Sequence, residues 1–318
     1  MDFGLQVLSR DAATHPDGLK RLAQAADHLG FGYLGISDHI IIAQDIKSTY
    51  PYSESGTWTG VGAGLCLDQL SCLSYAAAVT DKIRLLTSVM VVPHRPAILT
   101  AKMLATADFL SNGRVTVGVG VGWMAEEMAA LGSPPFEKRG AASNEYIAAF
   151  RALWREAEPT FDGEFVKFRD VVFAPKPLQK GGPPIWVGGE GAAARRRAGT
   201  LGDGWYPTIR NPKDQLDTPE KFAKALGEVH RHAESAGRDP STLDVAMFAT
   251  GCSVRAASEG RDGERLVFTG TAEEVADDAR AFAKAGVRHV VIGLQSADLA
   301  DHLEHITAFA EGVMPLAE

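Results

Sequence analysis

The chain has 318 residues with a formal net charge of −8, and 45% of the residues are hydrophobic. A chain of this size and composition can bury a large core in one domain or two. The acidic balance and the lack of a segment dense in Lys and Arg argue against nucleic acid or an anionic membrane as a partner and favour small-molecule chemistry.

The sequence does not open with a basic segment followed by an apolar one, and no apolar run is long enough to cross a bilayer. We therefore expect a cytoplasmic protein. The three cysteines, Cys66, Cys72 and Cys252, have neither metal-ligand nor CxxC spacing, which argues against a disulfide framework and predicts no metal site.

Apolar runs rich in β-branched residues predict the strands. Eight such runs lie near residues 3, 33, 85, 115, 185, 205, 246 and 290. Segments with helical periodicity alternate with them. These predicted helices cover residues 19–29, 67–79, 98–109, 123–132, 141–156, 192–199, 218–236, a segment that opens at residue 271, and residues 299–313.

Eight alternating strand–helix units predict an α/β fold, a (β/α)8 TIM barrel that forms a single domain over residues 1–318. Insertion loops are predicted after strands 2 and 4, at about residues 40–66 and 157–183. The first has the length and composition of a functional lid, and the second contains an Asp-Gly turn typical of a β-hairpin. A doubly wound sheet is the alternative, although no glycine-rich phosphate motif follows the first strand.

Ser37, Asp38 and His39 follow the second predicted strand, where barrel enzymes place catalytic groups. A histidine at this position can exchange a proton with a reacting centre near neutral pH. Position alone leaves open a second interpretation, in which His39 is a polar loop residue and Asp38 caps the next segment.

Gly118, Gly120 and Gly122 alternate along the fourth predicted strand. They indicate either a flat backbone wall for a planar ring or close packing of neighbouring side chains. Thr87 and Ser88 lie within the third strand, where their hydroxyl groups either bond to the edge of a ring or face a helix.

A second glycine-rich segment lies between a strand and a helix and consists of Gly188, Gly189, Glu190 and Gly191. Backbone N–H groups and the helix dipole can hold a phosphate at such a turn, and Arg195 and Arg196 add positive charge. The alternative is a tight turn followed by a solvated basic face.

Taken together, these segments resemble the bacterial luciferase-like superfamily of flavin and deazaflavin oxidoreductases. Within it, the sequence is most similar to the branch that uses the 5-deazaflavin coenzyme F420. The matching stretches are Ser37-Asp38-His39, Tyr50-Pro51-Tyr52-Ser53, Leu86-Thr87-Ser88-Val89 with Arg95-Pro96, Ser111-Asn112-Gly113-Arg114 leading into residues 118–123, and residues 161–164 through 183–189.

The resemblance implies a barrel with the cofactor lying across the carboxyl ends of the strands. It places His39 near the reactive ring carbon and Asp38 beside the ring edge. It also implies a non-proline cis peptide at Ser88-Val89, forming a bulge behind the ring. Residues 188–191 and Arg195 would take the phosphate.

The resemblance also places Trp58 and Trp123 in the substrate pocket. Some deazaflavin members carry a Glu directly after the glycine turn, where this chain has Trp123. The acid role therefore transfers only loosely, to Glu126 or Glu127, and acidic residues at this place also suit a helix dipole. His39 is the better candidate for the proton donor.

The leading hypothesis is F420-dependent hydride transfer to or from a small organic substrate. The alternatives are an FMN-dependent monooxygenase that uses reduced flavin and dioxygen, and a non-catalytic flavin-binding barrel. A basic rim of Arg195, Arg196 and Arg210 favours the acidic tail of F420. The resemblance further implies a homodimer, with residues 67–79 and 98–109 as candidates for its interface.

Overall fold

The computed structural model describes residues 1–58, 60, 65–260, 263–294 and 296–317. Ten strands follow one another within these residues: β1 (Asp2–Val7), β2 (Tyr33–Ile36), β3 (Arg84–Val91), β4 (Val115–Gly120), β5 (Phe161–Asp162), β6 (Lys167–Phe168), β7 (Ile185–Gly188), β8 (Gly204–Tyr206), β9 (Asp244–Ala249) and β10 (His289–Ile292). Eight of them close into a parallel barrel in the order β1, β10, β9, β8, β7, β4, β3, β2. These are the eight predicted strands, so the predicted (β/α)8 barrel is confirmed.

Helices connect the barrel strands, as the alternating pattern predicted. Those in the described part of the chain are α1 (Gly18–His28), α2 (Gln69–Val79), α3 (Ala97–Leu110), α4 (Ala125–Ala130), α5 (Arg139–Arg155), α6 (Ala192–Leu201), α7 (Pro219–Ser235), α8 (Ala272–Lys284) and α9 (Leu299–Gly312). The start of α8 is a capping box in which Thr271 and Glu274 satisfy each other's backbone N–H groups. Among these helices, none combines the length and apolar character needed to cross a membrane.

Large side chains fill the interior of the barrel. Those that point inward and pack on one another are Tyr33, Leu86, Trp186, Tyr206, Ala246 and Val291. A second, larger set of apolar side chains joins the outer faces of the strands to the helices. Because the strands are covered on both faces and the centre is filled, a ligand is expected to bind at the mouth, above the carboxyl ends of the strands.

The antiparallel pair β5 and β6 lies outside the barrel and is the hairpin predicted from the Asp-Gly turn. Glu145 of α5 fixes this hairpin, because its carboxylate accepts hydrogen bonds from the backbone N–H groups of residues 164–166. The single-domain assignment and the extents of the two insertions stay predictions.

Arg114 connects two of the βα units. Its guanidinium donates hydrogen bonds to the backbone carbonyls of Ala77, Thr80, Ile83 and Ser111 at 2.8 to 2.9 Å. Several carbonyls at the ends of α2 and α3 thereby find one common donor. The resemblance motif at residues 111–114 therefore has a structural role at the amino-terminal side of β4.

We expect Arg114→Lys to lower the free energy of unfolding by about 1–3 kcal/mol, because one ammonium group cannot reach all of these carbonyls. Urea denaturation followed by circular dichroism measures the change. Arg21→Lys, at an exposed position on α1, is the matched control. Equal unfolding midpoints for the two variants would contradict the role given to Arg114.

Candidate active site

One of the three predicted catalytic residues, His39, meets the two predicted pocket tryptophans at the carboxyl ends of β2 and β4. His39 follows β2, Trp58 lies further along the same loop, and Trp123 lies between β4 and α4. The His39 ring contacts both tryptophans and the carboxylate of Glu127. This group of four side chains is the centre of the candidate site.

His39 and Glu127 form a hydrogen-bonded pair in which His39 Nδ1 lies 2.7 Å from Glu127 Oε2. The Glu127 side chain has no exposed surface, and its Oε1 accepts hydrogen bonds from the backbone N–H groups of Ile40 and Ile41 at 2.8 and 3.3 Å. Burial acts to raise the pKa of Glu127, but the hydrogen bond and charge of His39 outweigh it, and the pKa is lowered. The ionised carboxylate accepts Nδ1–H, which leaves Nε2 to serve a bound molecule.

His94 is a second histidine beside the same carboxylate, and sequence analysis missed it. Its Nδ1 lies 3.8 Å from Glu127 Oε1, and its side chain is only 2% exposed. Burial lowers the pKa of His94 more than the charge of Glu127 raises it, so this ring is neutral at pH 7. The signal for His94 was its place just after the third predicted strand, the same kind of place that singled out His39.

Asp38 is fully engaged with neighbouring groups. Its carboxylate has no exposed surface and accepts hydrogen bonds from two Arg95 nitrogens at 3.0 Å and from the backbone N–H of Val91 at 2.9 Å. Arg95 also bonds to Asp68, the N-cap of α2, at 2.6 Å. Asp38 therefore acts on the site by fixing the backbone that carries His39.

Glu126, the predicted catalytic acid, points to the loop after β2. Its Oε1 accepts hydrogen bonds from the backbone N–H groups of Lys47 and Ser48 at 2.9 and 3.0 Å, and its Oε2 accepts one from Ser48 Oγ at 2.7 Å. Both oxygens thus hold the loop. Of the two glutamates considered from the sequence, the geometry favours Glu127 as the partner of His39.

Aromatic side chains cover His39. The centroid of the His39 ring lies 4.8 Å from that of Trp58 and 6.3 Å from that of Trp123. Tyr50 packs on Trp123 at 5.0 Å, and Arg10 lies above Trp58 with its guanidinium carbon 5.4 Å from the ring centroid. The site thus has a largely apolar wall beside a proton-exchanging group.

The Ser88–Val89 peptide bond is cis, as the resemblance implied, and the pairing of β3 with β4 shifts register at this point. The Ser88 hydroxyl points into the barrel, where it lies 2.8 Å from the Tyr206 hydroxyl. The backbone carbonyl oxygen of Ser88 accepts a hydrogen bond from Gln6 Nε2 at 2.9 Å. Ser88 therefore faces neither a helix nor the open mouth.

Gly118 and Gly120 lie on β4 against β3, whereas Gly122, predicted on the same strand, lies beyond its end. A Cβ at Gly118 would lie 2.1 Å from a carbonyl oxygen of β3, so close packing explains this position. Gly122 has a positive φ of 82°, which favours glycine. Gly120 and Gly188 lie on either side of the Val89 side chain. A Cβ atom added to Gly120 would lie 2.8 Å from that side chain, and one added to Gly188 would lie 3.1 Å from it. The partly exposed Val89 is the apolar floor of the mouth.

The turn formed by residues 188–191 connects β7 with α6, as predicted, and Gly191 is the N-cap of α6. Glu190 is 2% exposed and accepts hydrogen bonds from the backbone N–H of Thr208 at 2.7 Å and from Asn211 Nδ2 at 2.8 Å. Burial raises the pKa of Glu190 more than these bonds lower it. Glu190 thus ties the segment after β8 to the turn.

Two of the three arginines of the predicted basic rim have partners within the fold, which weakens that prediction. Arg195 forms ion pairs with Asp214 at 3.5 Å and Glu228 at 3.1 Å. Arg210 donates a hydrogen bond to a backbone carbonyl at 2.7 Å, and burial lowers its pKa. Arg196 is exposed on α6. Of these three charges, that of Arg195 is thus balanced by carboxylates within the fold.

The fold is a (β/α)8 barrel, and a hydrogen-bonded histidine–glutamate pair lies at its mouth. A family model described as luciferase-like monooxygenase matches residues 1–262. The chain belongs to this family, whose members are oxidoreductases and monooxygenases, and the family resemblance is therefore confirmed.

Two sequence relatives and one solved structure of similar fold are among the matches. An uncharacterised Mycobacterium tuberculosis protein is 33% identical over 283 residues, which are 89% of this chain and 96% of that protein. An FMNH(2)-dependent dimethylsulfone monooxygenase of Pseudomonas putida is 31% identical over 220 residues, 69% of this chain and 55% of that protein. A solved structure of coenzyme F420-dependent tetrahydromethanopterin reductase from Methanopyrus kandleri has a TM-score of 0.76 at 19% identity and covers 100% of this chain and 99% of its own.

We expect Glu127→Gln to lower the free energy of unfolding at pH 7. The difference from wild type should disappear in acid. Because the folded-state pKa of Glu127 is lowered, ionisation favours the folded protein above the ordinary value of 4.5. This stabilisation disappears as the pH falls through the lower folded-state pKa.

Urea unfolding of both proteins across the acid range measures the difference, with the exposed Glu234→Gln as control. A difference between wild type and Glu127→Gln that does not change with pH would contradict the assignment.

Proposed function

We propose that this protein binds coenzyme F420 at the barrel mouth and transfers a hydride between it and a small organic substrate. The observation that carries the proposal is the pairing of His39 Nδ1 with the buried carboxylate of Glu127. A hydride moving to or from a carbonyl carbon requires a proton to move at the oxygen. His39 Nε2, held by the pair, serves that oxygen.

The residues at the mouth fit a flavin-type cofactor. Val89, flanked by Gly120 and Gly188, offers an apolar surface on which a ring can lie. The turn at residues 188–191 opens α6 and would hold the phosphate together with Arg195. Arg195 lies in this first part of α6, and a phosphate there would share its guanidinium with Asp214 and Glu228.

The chain's own residues would perform the steps that surround the redox chemistry. The bound cofactor would supply or accept the hydride. Glu127 holds one tautomer of His39 and stabilises the imidazolium that forms when Nε2 takes up a proton. Trp58 and Trp123 exclude water from this nitrogen and pack against an apolar substrate.

An FMN-dependent monooxygenase is the second candidate. The match to an FMNH(2)-dependent monooxygenase at 31% identity favours it. The internal partners of Arg195 and Arg210 weaken the charge argument for the acidic tail of F420. Both cofactors carry a planar ring and a phosphate. The apolar surface at Val89 and the turn at residues 188–191 would therefore suit either one.

Titration of the purified protein with oxidised F420 and, separately, with FMN tests the proposal through cofactor fluorescence at fixed salt. We expect F420 to bind more tightly, and Arg195→Met to weaken its binding about tenfold or more, because a charge-assisted contact is lost. Arg196→Met, on the same helix, is the control. Preference for FMN would move the assignment to the monooxygenase, and binding of neither cofactor would overturn both.

We expect His39→Asn to lower kcat by about 10²–10⁴-fold while F420 still binds, because Asn keeps a donor for Glu127 but cannot exchange the proton. Steady-state kinetics measure this with the members of a panel of small secondary alcohols and ketones that the wild type converts. Unchanged turnover in this variant would refute the role of His39.

We also propose that the protein is a homodimer that packs through α2 and α3. Both helices present large apolar side chains to solvent. The exposed fractions are 46% for Tyr75, 44% for Ile98, 53% for Leu99, 52% for Phe109 and 66% for Leu110. The only charged residues of α3 are Lys102 and Asp108, and Asp108 is buried. An uncharged apolar face of this kind suits an identical face on a second copy.

We expect Leu110→Glu to convert the dimer into a monomer, because it places a charge within the proposed apolar interface. Size-exclusion chromatography with light scattering measures the mass. Leu316→Glu is the matched control, since Leu316 is 43% exposed but lies near the carboxyl terminus. A monomeric wild type, or a Leu110→Glu variant that stays dimeric, would exclude this interface.

A further inference from the structure

We propose that Glu126 and Ser48 form a latch that positions the cover loop over His39. The cover loop is defined as residues 40–58, which follow the site after β2 and carry Tyr50 and Trp58. In this proposal Glu126 is a positioning residue that acts through the loop and does not exchange protons with a substrate. The location of the site rests on the proposed function, but the latch itself is a property of the cofactor-free chain.

The latch consists of four hydrogen bonds between two distant segments. Glu126 Oε1 accepts from the backbone N–H groups of Lys47 and Ser48 at 2.9 and 3.0 Å, and Oε2 accepts from Ser48 Oγ at 2.7 Å. Ser48 Oγ in turn accepts from the backbone N–H of Ala125 at 2.9 Å. Each segment thereby supplies both donors and acceptors to the other.

The arrangement resembles a capping box, because a side chain from each segment accepts a hydrogen bond from the backbone of the other. Here the two segments are the loop and the first turn of α4. Burial acts to raise the pKa of Glu126, but its bonds with Ser48 and Lys47 outweigh it, and the pKa is lowered. The carboxylate therefore stays ionised, and the latch stays closed, at neutral pH.

The two neighbouring glutamates hold the loop at two points. Glu127 accepts from the backbone N–H groups of Ile40 and Ile41, where the loop begins, and Glu126 holds residues 47 and 48. The aromatic part of the loop begins just after this second point. Tyr50 lies two residues beyond Ser48 and packs on Trp123, which lies three residues before Glu126.

Because the same two segments carry the latch and the Tyr50–Trp123 contact, opening the latch would separate Tyr50 from Trp123. Trp58 would follow, since its ring packs on both Trp123 and His39. Water would then reach His39, and substrate would be held less well. The His39–Glu127 pair would stay intact, because none of its bonds passes through Glu126.

A catalytic acid role for Glu126 predicts a different outcome. An acid must present an oxygen to the substrate, whereas both Glu126 oxygens bond to the loop. Removal of an acid would lower kcat and change its pH profile. Removal of a latch would raise KM and loosen the loop, with the pH profile of kcat retained.

The test uses Glu126→Gln, Ser48→Ala, the double variant and the conservative Ser48→Thr, with Glu137→Gln at an exposed site as control. The first measurement is made on the full-length chain without cofactor. It follows acrylamide quenching of tryptophan fluorescence and tryptic cleavage after Lys47, whose side chain is 81% exposed. The chain has five tryptophans, and three of them, Trp154, Trp186 and Trp205, are at most 3% exposed, so changes in quenching report on Trp58 and Trp123.

We expect Glu126→Gln and Ser48→Ala each to increase quenching and to speed cleavage after Lys47 about tenfold, as the loss of a charge-assisted bond implies. Their effects should not add in the double variant, and Ser48→Thr should behave like wild type. In the active enzyme the same variants should raise KM and keep the pH profile of kcat. Ser48→Ala removes one hydroxyl only, so it tests the latch even where Glu126→Gln fails to fold.

The proposal is overturned when quenching and cleavage match those of Glu137→Gln. It is also overturned when Glu126→Gln removes one limb of the pH profile without loosening the loop. Failure of F420 to bind would refute the proposed function and leave the measurements on the cofactor-free chain, and hence the latch, unaffected.

Discussion

A single buried carboxylate, that of Glu127, joins the parts of the chain that make the site. It binds His39 at the end of β2, accepts the first backbone N–H groups of the following loop, and lies beside His94 at the end of β3. An ionised group without exposed surface is tolerated only where such donors surround it. The position of His39, the start of the loop and the start of α4 are therefore coupled through one side chain.

The barrel places these groups together by simple geometry. Parallel strands end at one edge, and a filled interior directs any ligand to that edge. The turn after β2 is fixed from below by Asp38, Arg95 and Asp68, and the loop above it is held by Glu126. His39 is thus positioned by charges on both sides, none of which needs to touch a substrate.

The sequence was sufficient for the fold and for much of the site, because both depend on local patterns. Apolar strands, helical periods and strand ends predicted the barrel and located His39, whereas the family resemblance pointed to Trp58 and Trp123. The sequence did not decide between Glu126 and Glu127. Adjacent side chains on a helix point about 100° apart, and which of the two faces His39 depends on how the helix packs. The partners of Arg195 and Arg210 are distant in sequence, so the ion pairs of Arg195 with Asp214 and Glu228, and the hydrogen bond of Arg210 to a backbone carbonyl, were equally hidden.

The most direct test of the account is the tautomer of His39, measured from the ¹⁵N chemical shifts of the labelled imidazole rings. The chain contains nine histidines, and the His39→Asn variant assigns the signal. The account predicts that neutral His39 carries its proton on Nδ1, and that Glu127→Gln, but not Glu126→Gln, abolishes this preference. A proton on Nε2 with an unprotonated Nδ1 would mean that Glu127 does not hold the ring as an ionised acceptor, and would contradict the account.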